Sequence, residues 1–123
     1  NGNTGPFIQY AYARIQSLIR KEKFSNTKIN LDTNINEKEK DILKQLTQFP
    51  IAVKSDADNY SPALIANYAF ELVKTFNSYY QSTTILKIND LEIKNFRLTL
   101  SNKVGEVIKS SMKLLGVEVP EKM

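Results

Sequence analysis

The chain of 123 residues contains no cysteine and no histidine. Without cysteine there are no disulfides, no thiolate nucleophile and no sulfur-ligated metal. Without histidine the commonest general base and the commonest zinc ligand are missing. Carboxylates are present but scattered: Asp32, Glu37, Glu39, Asp41, Asp56, Asp58, Glu71, Asp90 and Glu92. No two of them share an apolar run with a partner that would drive their pKa values apart. There is no phosphate-cradling glycine-rich loop and no Ser-His-Asp set. We therefore expect no catalytic residue and no metal site in this chain. Asp56 and Asp58 fall short of the ligand spacing of a calcium loop and read as helix-end and turn chemistry. No apolar run is long enough to span a bilayer, and no secretory signal opens the chain. The expectation is a soluble cytoplasmic protein with no membrane partner. Asn1-Gly2-Asn3-Thr4 reads as loop without an initiator Met, which suggests a piece of a longer chain.

What the chain does have is a mild basic excess. The net charge is +4 and the isoelectric point is near 9.2. That permits a polyanionic partner without requiring one. Within residues 1–24, Arg14, Arg20, Lys21 and Lys23 face only Glu22, whereas residues 36–58 are balanced or slightly acidic. The basic part is the start.

The length fits one domain, residues 1–123. Helical period dominates it. The first helix is expected from about Pro6 to Lys23, with Ile8, Ala11, Ile15, Leu18 and Ile19 on its core side. Phe24-Ser25-Asn26-Thr27 ends it, and Lys28 to Asn36 is a polar connection. Asn36-Glu37-Lys38-Glu39 has the form of a capping box, and the helix after it carries Ile42, Leu43 and Leu46 towards Pro50. Ile51 to Asp58 reads as a short helix. Ser61-Pro62 pairs an N-cap serine with proline at the first helical position. It opens a long helix striped by Ile65, Ala69, Leu72, Phe76, Tyr79 and Tyr80. Residues 82–89 form a connection with a β-like patch, Ile85-Leu86-Lys87-Ile88. The last helix spans roughly Leu91 to Leu115, with Gly105 marking a close helix approach and Gly116 a C-cap. Pro120 makes the rest an extended tail. Three or four amphipathic helices with short connections predict an all-α bundle.

The first helix carries a surplus face. Phe7, Tyr10, Arg14, Ser17 and Lys21 recur at steps of three and four, so they share a side. Such a row can stack bases and hold phosphates. It can equally be a helix edge whose long side chains snorkel over apolar surface. A protein–protein module with every aromatic in the core stays open at this point.

Three stretches resemble a known family. Gly5-Pro6-Phe7-Ile8-Gln9-Tyr10-Ala11-Tyr12-Ala13-Arg14 resembles the helix that opens the C-terminal, DALR-type anticodon-binding domain of arginyl-tRNA synthetases, with Tyr12 where the family usually has His. Ile65-Ala66-Asn67-Tyr68-Ala69-Phe70-Glu71-Leu72, then Phe76-Asn77-Ser78-Tyr79-Tyr80, resembles its long helix. Arg97-Leu98-Thr99-Leu100, then Leu114 to Met123, resembles its last helix and tail. Arg97 matches the arginine of the family's name-giving tetrad, while Lys94, Asn95 and Phe96 depart from the rest.

The resemblance implies an anticodon-binding helical bundle attached after a class I catalytic domain. That catalytic domain, with its ATP and Mg, is not in this chain, so no cofactor is expected here. The implied partners are the anticodon stem-loop of tRNA(Arg) and the enzyme's own catalytic domain, with the whole a monomer. It also implies that Phe7, Tyr10, Arg14, Tyr80 and Met123 contact the anticodon loop. Lys21 and Lys23 add attraction for phosphates. A related bundle of another synthetase, such as the glycine enzyme, is the alternative within this class.

Overall fold

Most helix ends in this protein are written in the residues beside them. The computed structural model describes residues 4–21, 35–49, 54–56 and 59–116. Four helices carry the fold in those residues: α1 (Thr4–Lys21), α2 (Glu37–Thr47), α3 (Pro62–Ser82) and α4 (Leu91–Leu114). α1 starts two residues before Pro6. Proline is tolerated there because first-turn N–H groups have no intrahelical acceptor. The capping box before α2 forms as expected. Asn36 Oδ1 accepts from the Glu39 N–H and Glu39 Oε1 accepts from the Asn36 N–H, both at 2.9 Å. Ser61 caps α3, its Oγ accepting from the Leu64 N–H at 3.3 Å, with Pro62 at the first position. Asp90 caps α4 by accepting from the N–H groups of Glu92 and Ile93. Gly116 follows α4 with φ of 79°, the left-handed conformation that ends helices and suits glycine.

Two local expectations are corrected. Lys54–Asp56 is not helical but forms a strand, β1, paired antiparallel with β2 (Asn59–Tyr60). Asp and Asn favour turns over helix interiors because their side chains compete for backbone bonds. The Ile85–Ile88 patch forms no strand. Ile85 instead buries in the core and Leu86 packs against it. Residues 22–34 and 117–123, which hold Lys23, the polar connection and Met123, lie outside the described residues.

The core contains most of the residues expected from periodicity, while Ile19, Leu43, Leu46 and Tyr80 are only partly buried against it and Tyr12, Val73, Leu98 and Met112 join it from outside the expected stripes. Ile8, Ala11, Ile15 and Leu18 of α1 meet Ile65, Ala69, Leu72 and Phe76 of α3 and Leu100, Val104 and Ile108 of α4. Ile42 enters from α2. α1 and α2 each pack on both α3 and α4. Gly105 sits where α1 crosses α4: a Cβ there would lie 3.1 Å from Ile15 Cγ2. Tyr12, at the family's usual His position, is 3% exposed and belongs to the core.

A buried polar cluster ties three helices together. Glu39 is 1% exposed, although it is a carboxylate. One oxygen completes the capping box of α2. The other, Oε2, accepts from the Tyr79 hydroxyl of α3 at 2.7 Å and from Arg97 Nε of α4 at 3.0 Å. Arg97 also donates to the Thr84 carbonyl at 2.6 Å, just past α3. The charge is thus paired and both of its oxygens accept hydrogen bonds, as a buried carboxylate requires. Burial, then the hydrogen bond to Glu39 and its charge, push the Tyr79 phenol far up, opposed by Arg97. The tetrad's arginine therefore braces the bundle from inside.

Candidate nucleic-acid interface

α1 and α3 lie side by side and run the same way. The Phe7 ring sits 5.3 Å from the Phe70 ring, and Arg14 Nη1 donates to Asn77 Oδ1 at 3.3 Å. Both pairs are 63 positions apart, so the register holds over two turns. At 1.5 Å per residue, those contacts are separated by about 10 Å along the helices.

The lower end of this seam gathers most of the predicted row. The Arg14 guanidinium lies over two phenol rings, 4.5 Å from the Tyr80 centroid and 5.2 Å from that of Tyr10. Tyr10 is one turn back on α1, and Tyr80 reaches in from the last turns of α3. Both distances are within cation–π range. The Tyr80 ring also lies 6.3 Å from Phe76, which is fully buried, so its inner side rests on the core. Tyr10 is 47% exposed. An open cavity of about 480 Å³ lies here, and Arg14, Ser17, Arg20, Lys21, Tyr10 and Tyr80 line it with Ala13 and Leu18.

The residue types follow from place. Tyrosine keeps an apolar ring on the helix and a hydroxyl in water, so it suits a half-buried edge. Arginine offers a flat face and five donors. The arrangement presents aromatic faces, a held guanidinium and two further cations at one concave surface. Such a surface has the chemistry to stack unpaired bases and attract phosphate. Among the described residues no group of three or more His, Cys, Asp or Glu is placed to hold a metal. No helix there is long and apolar enough to cross a membrane.

Tyr10, Arg14, Tyr80 and Lys21 thus come together. Phe7 does not line the cavity. It is half-buried two turns away, against Phe70, whose ring lies 5.5 Å from Lys74 Nζ. Met123 and Lys23 lie outside the described residues. Two participants escape the sequence row. Arg20 is one residue off the face but long enough to reach the rim. Asn77 lies one turn before Tyr80, a spacing that puts both on one side of α3.

Residues 8–123 match the DALR anticodon binding domain family. The chain belongs to that family. Over 122 residues it is 51% identical to the arginine–tRNA ligase of Flavobacterium psychrophilum, covering 99% of this chain and 20% of that protein. It is 46% identical to the arginine–tRNA ligase of Parabacteroides distasonis, covering 100% of this chain and 21% of that protein. Among solved structures, the arginyl-tRNA synthetase of Thermus thermophilus superposes with a TM-score of 0.83 at 27% identity, over 97% of this chain and 21% of that one. The chain thus spans about a fifth of the length of these relatives. The resemblance in the three sequence stretches and the helical bundle agree with this membership.

Proposed function

We propose that this domain holds the anticodon stem-loop of an arginine tRNA at the lower end of the α1/α3 seam. The observation that carries the reading is Arg14 lying over both Tyr10 and Tyr80 beside a cavity rimmed by Arg20 and Lys21. Bases splayed from the loop stack on the exposed Tyr10 ring and on the Arg14 plane that covers Tyr80, and each stacked base contributes about 1–3 kcal/mol. Arg14 supplies donors to a base edge or a phosphate. Phe7 extends the aromatic surface along the seam, and Met123 joins it from the tail. Lys21 and Lys23 add salt-sensitive attraction to phosphates.

In this reading the domain is the C-terminal part of a cytoplasmic, monomeric arginine–tRNA ligase. The activity requires a catalytic domain using ATP and Mg, to which this chain contributes tRNA recognition. The similarity to arginine–tRNA ligases over nearly the whole chain supports it.

The test is a titration with two labelled anticodon stem-loops, one from arginine tRNA and one from glycine tRNA. Tighter binding of the arginine stem-loop, weakening as salt rises, is the expected result. Tighter binding of the glycine stem-loop points to a related bundle of another synthetase, and equal binding shows RNA attraction without the proposed specificity. Binding of neither points to a protein-interaction module.

A further inference from the structure

We infer that Asn77 is a positioning residue that fixes the Arg14 guanidinium for RNA binding. The inference rests on the reading of this seam as the anticodon site. A guanidinium lying over phenol rings is attracted to them but can still turn about the normal to its own plane. Cation–π attraction is set by distance to the ring and is weakly directional about the ring axis. A hydrogen bond is directional. The bond from Arg14 Nη1 to Asn77 Oδ1, at 3.3 Å, supplies the missing constraint. Asn77 is half-buried on α3, three residues before Tyr80. The helix that carries one ring of the bracket therefore also carries the acceptor that sets the cation's rotation. With one amine committed to Asn77, the guanidinium meets RNA with its donors in a fixed direction, and less ordering remains for binding. Asn77 itself does not line the cavity, so its effect passes through Arg14.

The constraint is readable in two ways. Asn77→Leu removes the acceptor and keeps a good helix former. In stem-loop titrations it is expected to weaken binding about three- to tenfold, the worth of one hydrogen bond. In an Arg14→Ala background the same change is expected to have no effect, because nothing is left to position. A loss of equal size in both backgrounds overturns the inference and assigns Asn77 a general structural role. No loss in either background also overturns it. The second readout needs no RNA. The Arg14 side-chain N–H resonances are expected to be resolved by hindered rotation in wild type and in Asn77→Asp, which keeps an acceptor. They are expected to collapse in Asn77→Leu. Unchanged resonances in Asn77→Leu overturn the inference even if the stem-loop is not bound. Absence of stem-loop binding with collapsed resonances refutes the anticodon reading alone.

Discussion

Glu39 shows what a single residue can be asked to do. It caps the start of α2, pairs with Arg97 and accepts from Tyr79, all while 1% exposed. Removing a buried ionic partner leaves the other charge stranded. Glu39→Ala is therefore expected to cost about 3–5 kcal/mol, and Tyr79→Phe, which leaves the ion pair intact, about 1.5–3 kcal/mol. Urea unfolding midpoints compare the two; equal midpoints would contradict this ranking. Half of this was readable beforehand. Asn36 and Glu39 three residues apart announce a capping box, because both partners are local. The second carboxylate oxygen finds partners 40 and 58 positions away, and no local pattern marks which of the scattered acids is buried.

The phenols carry a pH signature. Burial pushes Tyr68 up from 10.0 to about 12, and Tyr79 is raised further by burial and by Glu39. Tyr68 also donates to the Gln45 carbonyl. Both folded values lie above the unfolded one, so the folded state favours the neutral phenol. Their contribution is complete below about pH 10 and is lost as pH rises through the folded values. The melting temperature is expected to fall between pH 10 and 12, and Tyr68→Phe with Tyr79→Phe to flatten that fall. An identical pH dependence in the double variant would remove the tyrosines as its cause.

At the scale of elements, the contact between α1 and α4 turns on Gly105. Alanine there gains about 1 kcal/mol of helix propensity. Its Cβ, however, meets Ile15 Cγ2 at 3.1 Å, on a fully buried, β-branched side chain that has little freedom to rotate. Overpacking costs about 1–3 kcal/mol, so Gly105→Ala is expected to be net destabilising. A raised melting temperature would show that the helices separate more easily than this. The four long helices and the caps at Asn36 and Ser61 were legible from the chain because they depend on neighbours three or four residues apart, whereas the short helix expected over Ile51 to Asp58 gave way to strand at Lys54–Asp56. Ile85–Ile88 was not, since a short apolar run looks alike whether it pairs as a strand or drops a side chain into a core. The parallel register of α1 and α3 was likewise hidden. Phe7 and Arg14 fall on one face in sequence, yet tertiary packing gives one to Phe70 and the other to Asn77 and Tyr80.

For the whole molecule, the proposed interface is a small, basic, aromatic hollow on an otherwise mildly charged bundle. Lys21 is one of the cations that line it. Lys21→Ala is expected to lower the slope of log affinity against log salt by about 0.7, the value for one single-strand phosphate contact. An unchanged slope would take Lys21 out of the interface. The bundle should not depend on the hollow, because Tyr10 is 47% exposed and Arg14 lies outside the buried core. The most direct measurement is therefore affinity for the arginine tRNA anticodon stem-loop in Tyr10→Ala, Arg14→Ala and Tyr80→Ala, each with its melting temperature. Tyr10→Ala and Arg14→Ala are expected to melt as wild type, Tyr80→Ala somewhat lower, and all three to bind roughly 5- to 150-fold more weakly, in line with about 1–3 kcal/mol per stacked base. Folded variants that bind the stem-loop as tightly as wild type would contradict the assignment of this seam to RNA.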